Sequence, residues 1–125
     1  MKVILSIKPE FAEKIFNGSK KFEFRRRLYK NKDVKVVIVY ASAPISKIIG
    51  EFEIGSVLHE DLGSLWNSTN EYSGISKEYY LEYFKGKESG YAIAVKKAEK
   101  YDQPICIRET FGLTPPQSFA YVQEH

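Results

Sequence analysis

Cysteine is nearly absent: Cys106 is the only one in 125 residues. No intramolecular disulfide can form, and the chain is expected in a reducing compartment, the cytoplasm, with that thiol buried and inert. Histidine is as scarce. His59 and His125 stand far apart beside that single cysteine, so no set of zinc-ligand spacings exists, and neither a metal nor another cofactor is expected. Long hydrophobic runs are missing too. No stretch approaches the roughly 20 apolar residues of a membrane helix. The apolar start of the chain is broken by Ser6 and Lys8 before the core of an export signal could form. A soluble protein is expected. The glycine-rich phosphate loop and the Gly-x-Ser-x-Gly elbow are also absent, which disfavours a nucleotide triphosphatase and a serine hydrolase of that kind.

What is present suits a packed core: 43% of residues are hydrophobic and 14% aromatic, where a disordered chain would be poorer in both. At this length one domain over residues 1–125 is expected. The net charge of +3 conceals an uneven distribution. Lys20, Lys21, Arg25, Arg26, Arg27, Lys30, Lys32 and Lys35 are opposed in their segment by Glu23 and Asp33 alone, a local +6 that leaves −3 for the rest of the chain. Attraction to a polyanion would therefore be local. A solvated charged edge is the plain alternative.

Val3 to Ile7 reads as a first, central strand. Pro9 opens a short helix with Phe11, Ala12, Ile15 and Phe16 on one face, and Gly18 ends it. Lys8 is a poor cap, which leaves the first N–H groups of that helix free to meet an anion. From Lys20 to Arg27 the pattern alternates, with Phe22 and Phe24 toward a core and Lys21, Glu23, Arg25 and Arg27 on a charged face. Val36 to Ala41 is apolar on both faces and reads as a central strand, ended at Ala43-Pro44. Ile48 to Leu58 alternates again, with Gly50 and Gly55 suited to bends.

Asp61 can cap a helix carrying Leu62, Leu65 and Trp66; Ser76 can cap another with Tyr79, Tyr80, Tyr83 and Phe84, stopped by Gly86. Tyr91 to Val95 is a late strand, Ile105 to Ile107 a candidate further one, and Pro115-Pro116 leads into a closing segment. Five or six short strands interrupted by two to three short helices point to an α+β fold, a small β-barrel rather than an alternating βαβ sheet.

Ser6-Ile7-Lys8-Pro9, followed by Phe11 to Ile15, Gly18, Lys20 and Phe22-Glu23-Phe24-Arg25-Arg26, resembles the opening of ASCH-domain proteins. Later pieces are similar in the same order: Val39-Tyr40-Ala41-Ser42, Ile49-Gly50-Glu51-Phe52, Tyr72-Ser73-Gly74-Ile75-Ser76, Gly90-Tyr91-Ala92-Ile93 and Pro115-Pro116-Gln117-Ser118-Phe119. The resemblance implies a PUA-like β-barrel with a cleft between barrel and helices, in a superfamily that includes binders of RNA and of modified bases. One branch consists of amidohydrolases acting on N4-acetylcytidine through a lysine, a threonine three residues later and a distant glutamate. Lys20 matches the lysine, but the position three residues on is Glu23. The third role would fall to Glu71 or Glu78.

Candidate ligand-binding residues are Lys8, Lys20, Lys21, Glu23, Arg25, Arg26, Tyr40 and Ser42. Lys20 and Glu23 are also the candidate catalytic pair. In a regular strand those two point to opposite faces, so they share a site only if Lys20 sits on the turn before the strand or a bulge intervenes. Glu23 and Arg25, two apart, project together, able either to hold a base amine and a phosphate or to form an ordinary surface ion pair. Arg26 and its neighbours suit phosphate contacts. Tyr40 could stack on a base and Ser42 bond it, against the plainer reading of a core tyrosine and a turn serine. Among Trp66, Tyr72, Tyr79, Tyr80 and Tyr83, one or two rings at most should face a ligand, because the rest must bury the helices.

The expected function is recognition of RNA or a modified nucleotide in a basic cleft, in RNA metabolism or in the regulation of transcription or translation. The rival is a metal-independent enzyme, an amidohydrolase on N4-acylated cytidine or a related nucleoside, or a ribonuclease, using Lys20 with a carboxylate. A protein-docking regulator ranks last and requires an exposed apolar patch.

Overall fold

A computed structural model describes residues 1–123. Strand β1 (Lys2–Ile7) forms where the β-branched run begins, and Val3, Ile4, Leu5 and Ile7 are buried in it. Helix α1 (Pro9–Asn17) follows at once, started by Pro9 in its first turn and stopped by Gly18 in the left-handed conformation, φ 88°. Then come β2 (Phe22–Arg25), β3 (Val36–Ala41) and the long β4 (Lys47–Asp61). The helical segment comprises α2 (Leu62–Thr69), a single 3-10 turn at Asn70–Tyr72, and α3 (Lys77–Tyr83). Asp61 caps α2 by accepting from the Ser64 amide at 2.9 Å, and Ser76 caps α3 by accepting from Tyr79 at 3.1 Å. β5 (Ser89–Ile105), α4 (Ile107–Phe111) and β6 (Phe119–Val122) complete the described elements.

The strands form one mixed sheet in the order β2-β5-β4-β3-β1-β6, with β1 and β3 parallel and every other pair antiparallel. Over the described residues the fold is thus α+β with six strands and four short helices, where two to three helices were expected. Among the described residues the expected closure into a barrel is not seen: β2 and β6 remain the two edges of the sheet. The β4–β5 ladder shifts register at Ile48/Gly50, Glu53/Ile54 and Ile54/Val57, irregularities of the kind at which strands bend. Gly50 sits at one of these shifts. A Cβ there would lie 2.6 Å from the Phe16 ring and 2.5 Å from the Glu99 carbonyl, so the close approach of Phe16 of α1 to this strand requires glycine.

Two further expectations are corrected. Ile105–Ile107 is not a separate strand: β5 runs unbroken to Ile105, and Ile107 begins α4. Cys106, expected to be buried, is half-buried at the start of α4.

Period-two alternation assigns opposite faces of β1 and β3 to different cores. Val3, Leu5, Ile7, Val37 and Val39 join Ala12 and Ile15 of α1 on one side, whereas Ile4, Ile38 and Tyr40 pack with Ile48 and Ile107 on the other. A third cluster, built on Phe24, Leu65, Tyr80, Phe84 and Ala92, seats α2 and α3 on β2, β4 and β5. These packings hold α1, β2 and α3 around one hollow. Among the described residues no helix is long and apolar enough to cross a membrane.

Candidate functional site

The hollow between α1, β2 and α3 has a volume of about 170 Å3, and Lys8, Phe11, Lys20, Glu23, Arg25, Tyr79 and Tyr83 are among the residues around it. Lys20 lies on the turn before β2, not in the strand, which is how it comes to share a space with Glu23. Only 2% of Lys20 and 6% of Glu23 is exposed. The alternating charged face of β2 is therefore not solvated where Glu23 lies; the helical segment covers it.

Lys20 is held from both ends. Its Nζ donates to the Ser73 carbonyl at 2.6 Å and lies over the rings of Phe24 and Phe11, at 4.9 and 5.3 Å from their centroids. Gly74, next in the chain, has φ +70° and runs so close that a Cβ would stand 2.6 Å from the lysine stem. Lys14 donates to the Gly74 carbonyl at 3.0 Å and fixes the same loop to α1. Burial, only partly offset by the nearby Glu23 carboxylate, lowers the Lys20 pKa from 10.5 to about 8, and the charge on Lys14 adds to the lowering. Burial raises Glu23 above the usual carboxylate range, against the opposing pull of Arg25 and Lys20.

Arg25 completes the cluster. Its Nη1 is 3.2 Å from Glu23 Oε2 and donates also to the Ser6 carbonyl at 3.4 Å, while Nη2 donates to the Ser118 carbonyl at 2.7 Å. One guanidinium thus ties edge strand β2 to the end of β1 and the approach to β6. Beyond it a second, more polar depression of about 490 Å3 is lined by Arg26, Arg27 and Lys87, and shares Arg25 and Tyr83 with the first.

The remaining candidates fall in different places. Lys8 is exposed at the cavity rim, with Nζ 5.2 Å from the centroid of Tyr79. The helix start beside it offers little to an anion: Pro9 has no N–H, and Phe11 and Ala12 donate to the Lys8 carbonyl. Lys21 points away from the cavity onto the Tyr72 ring at 4.2 Å. Tyr40 is 5% exposed in the core of the opposite sheet face, because its place on β3 has the parity of Ile4 and Ile38. It is not a cavity residue, nor is Ser42, which begins the turn after β3 by accepting from Ile45. Glu71 and Glu78 are exposed and line neither hollow.

Of the aromatic residues in the helical segment, Tyr79 and Tyr83 line the cavity; Tyr80 is spent on the third core. Ser73 and Gly74 are site residues that the alternation pattern could not reveal, although they stand inside the family-like Tyr72-Ser73-Gly74 stretch. Among the described residues no three His, Cys, Asp or Glu side chains gather as a metal site. His125 lies outside the described residues.

Comparison with known proteins adds four findings. The large ribosomal subunit protein uL22 of Ureaplasma parvum is 31% identical over 121 residues. That match takes in 97% of this chain but 39% of the relative, so the chain spans about two fifths of its length. An ASCH domain-containing ribonuclease from Zymomonas mobilis is 29% identical over 126 residues, covering 97% of this chain and 84% of the relative. The crystal structure of ASCH from Zymomonas mobilis matches with a TM-score of 0.91 at 28% identity, over 98% of this chain and 88% of that one. The sequence model of the ASCH domain matches residues 5–102, and this chain belongs to the ASCH domain family.

Proposed function

We propose that the chain binds single-stranded RNA, taking one base into the Lys20–Glu23 cavity and laying the adjoining phosphates across Arg26, Arg27 and Lys87. The observation that carries this reading is the junction of the two hollows at Arg25. One is small and aromatic-walled with a buried donor and a buried acceptor; the other is open and cationic. A base has a flat apolar face and a polar edge, so it suits the first. Phosphates suit the second, since guanidinium forks match their oxygens. At about 170 Å3 the inner hollow is below the roughly 300–1,000 Å3 of sites for drug-sized ligands, a size for one ring system rather than a whole nucleotide.

A second reading, cleavage of the bound RNA, is favoured by the likeness to a relative named as a ribonuclease. Attack of a ribose 2′-oxygen on the adjacent phosphorus requires one group to take the hydroxyl proton and another to protonate the leaving 5′-oxygen. In this reading the ribose 2′-oxygen and the scissile phosphate, and not the base, meet the Lys20–Glu23 pair; Lys20, lowered to about 8, and Glu23, raised by burial, are both brought toward neutral pH and suit such an exchange. The acyl-removing alternative has less support, since neither a threonine after Lys20 nor Glu71 or Glu78 lies at the cavity.

The test is an anisotropy titration of labelled single-stranded RNA at several salt concentrations. Replacing Arg26, Arg27 and Lys87 together by Ala is expected to weaken binding and to reduce the salt slope by about 0.7 for each phosphate no longer neutralised. Unchanged affinity and slope would overturn the reading. Shortened RNA in the same samples would mark cleavage.

A further inference from the structure

One rank of paired residues crosses the sheet away from the cavity: Arg25 of β2 stands opposite Tyr91 of β5, and Tyr91 opposite His59 of β4. Strand partners share a face. The last two rings are stacked, with centroids 4.1 Å apart and planes at 12°, and His59 Nε2 is 3.2 Å from Ser89 Oγ. Together with Lys30, Asn31 and Lys32 they line a separate depression of about 710 Å3. His59, Lys30 and Lys32 are exposed.

An already stacked aromatic pair, with His59 exposed and Tyr91 half-buried beneath it, flanked by lysines, combines the two features by which single-stranded nucleic acid is held: a flat surface for a base and cations for its backbone. Because the rings hold each other in place, little ordering is needed on binding. The depression also has a route to the first site. The chain itself passes from Arg25 through Arg26 and Arg27 to Lys30 and Lys32, so cations continue from one hollow to the other.

We infer that this depression is a second nucleotide subsite, where another unpaired base of the same RNA stacks on the His59–Tyr91 pair while Lys30 and Lys32 meet the neighbouring phosphates. This rests on the reading of the chain as a binder of single-stranded RNA. Stacking without edge contacts accepts any base and favours the larger purine faces. Oligoadenylate is therefore the probe of choice.

The experiment compares binding of a decameric oligoadenylate by the unaltered protein, His59→Ala, His59→Phe, Lys30→Ala/Lys32→Ala, and the Arg26→Ala/Arg27→Ala/Lys87→Ala protein. His59→Ala is expected to weaken binding about 5-fold or more, and His59→Phe, which keeps a ring, to restore it. The two-lysine variant is expected to lower the salt slope by about 0.7 for each phosphate left without its cation. If the His59→Ala protein binds like the unaltered one while the Arg26/Arg27/Lys87 variant is weakened, the second subsite is wrong and the first site stands. Failure of His59→Phe to restore binding would likewise remove the stacking surface. If the unaltered protein does not bind the decamer, both readings fall.

Discussion

Lys20 is an expensive residue to bury, and its cost has a sign that can be measured. In the unfolded chain it keeps its proton up to about 10.5; in the folded protein burial lowers that value to about 8. Between these two values the unfolded state binds the extra proton, so stability rises with pH across the window, by up to about 1.4 kcal/mol per pH unit. Below it the penalty is present in full. Glu23 acts in the opposite sense at lower pH: its folded value is raised, so stability falls as pH climbs from 4.5 toward that value. Lys20→Met removes the ammonium and keeps the length. Urea denaturation between about pH 8 and pH 10 is expected to show the original protein gaining stability relative to Lys20→Met; parallel profiles would contradict the burial. At this scale the sequence displayed the cluster but not its depth. A strand pattern of Phe22 and Phe24 against Glu23 and Arg25 implies a wet charged face, and the cover arrives from Ser73 and Gly74, 53 residues beyond Lys20 in the case of Ser73.

Among the strands, β2 and β6 are the shortest, four residues each, and both lie at an edge; β2 is hydrogen-bonded as a strand on one side only. Its free side is tied by Arg25, which spans to the Ser6 and Ser118 carbonyls while neutralising Glu23. Lysine carries the same charge but not the fork, and cannot reach three acceptors in fixed directions. Arg25→Lys is therefore expected to destabilise the protein by about 1.5–3 kcal/mol in urea unfolding; a change within about 0.5 kcal/mol, the range of ordinary surface substitutions, would show that the tie is dispensable. Element ends were legible where they depend on local chemistry, as at Pro9, Gly18, Asp61 and Ser76. The long β5 was not, because Lys96, Lys97, Glu99 and Lys100 lie on an exposed ribbon whose polar run carries no period-two signal. Closure could not be read either. Strand count alone does not say whether the last gap is filled by a ladder or, as here, by one side chain.

For the whole molecule, the basic segment from Lys20 to Lys35 is divided by depth. Lys20 and Arg25 face inward, Arg26 and Arg27 line the adjoining depression, and Lys30 and Lys32 line the third hollow. A plain charged edge would have kept all of them on one solvated surface. Tyr40 and Ser42 lie at a strand end, where a ligand-facing place is a natural expectation, yet strand parity sends Tyr40 into the opposite core. Under the proposed function the outer cations would set salt dependence and the buried lysine would read the base. The most direct measurement is thus the affinity of Lys20→Met for single-stranded RNA across a salt series, on protein shown by its urea profile to be folded. At least a roughly tenfold loss, about 1.4 kcal/mol, is expected at every salt concentration with the slope retained, because a base contact and not a phosphate contact is removed. Affinity equal to that of the original protein would contradict the claim that the Lys20–Glu23 cavity holds a base.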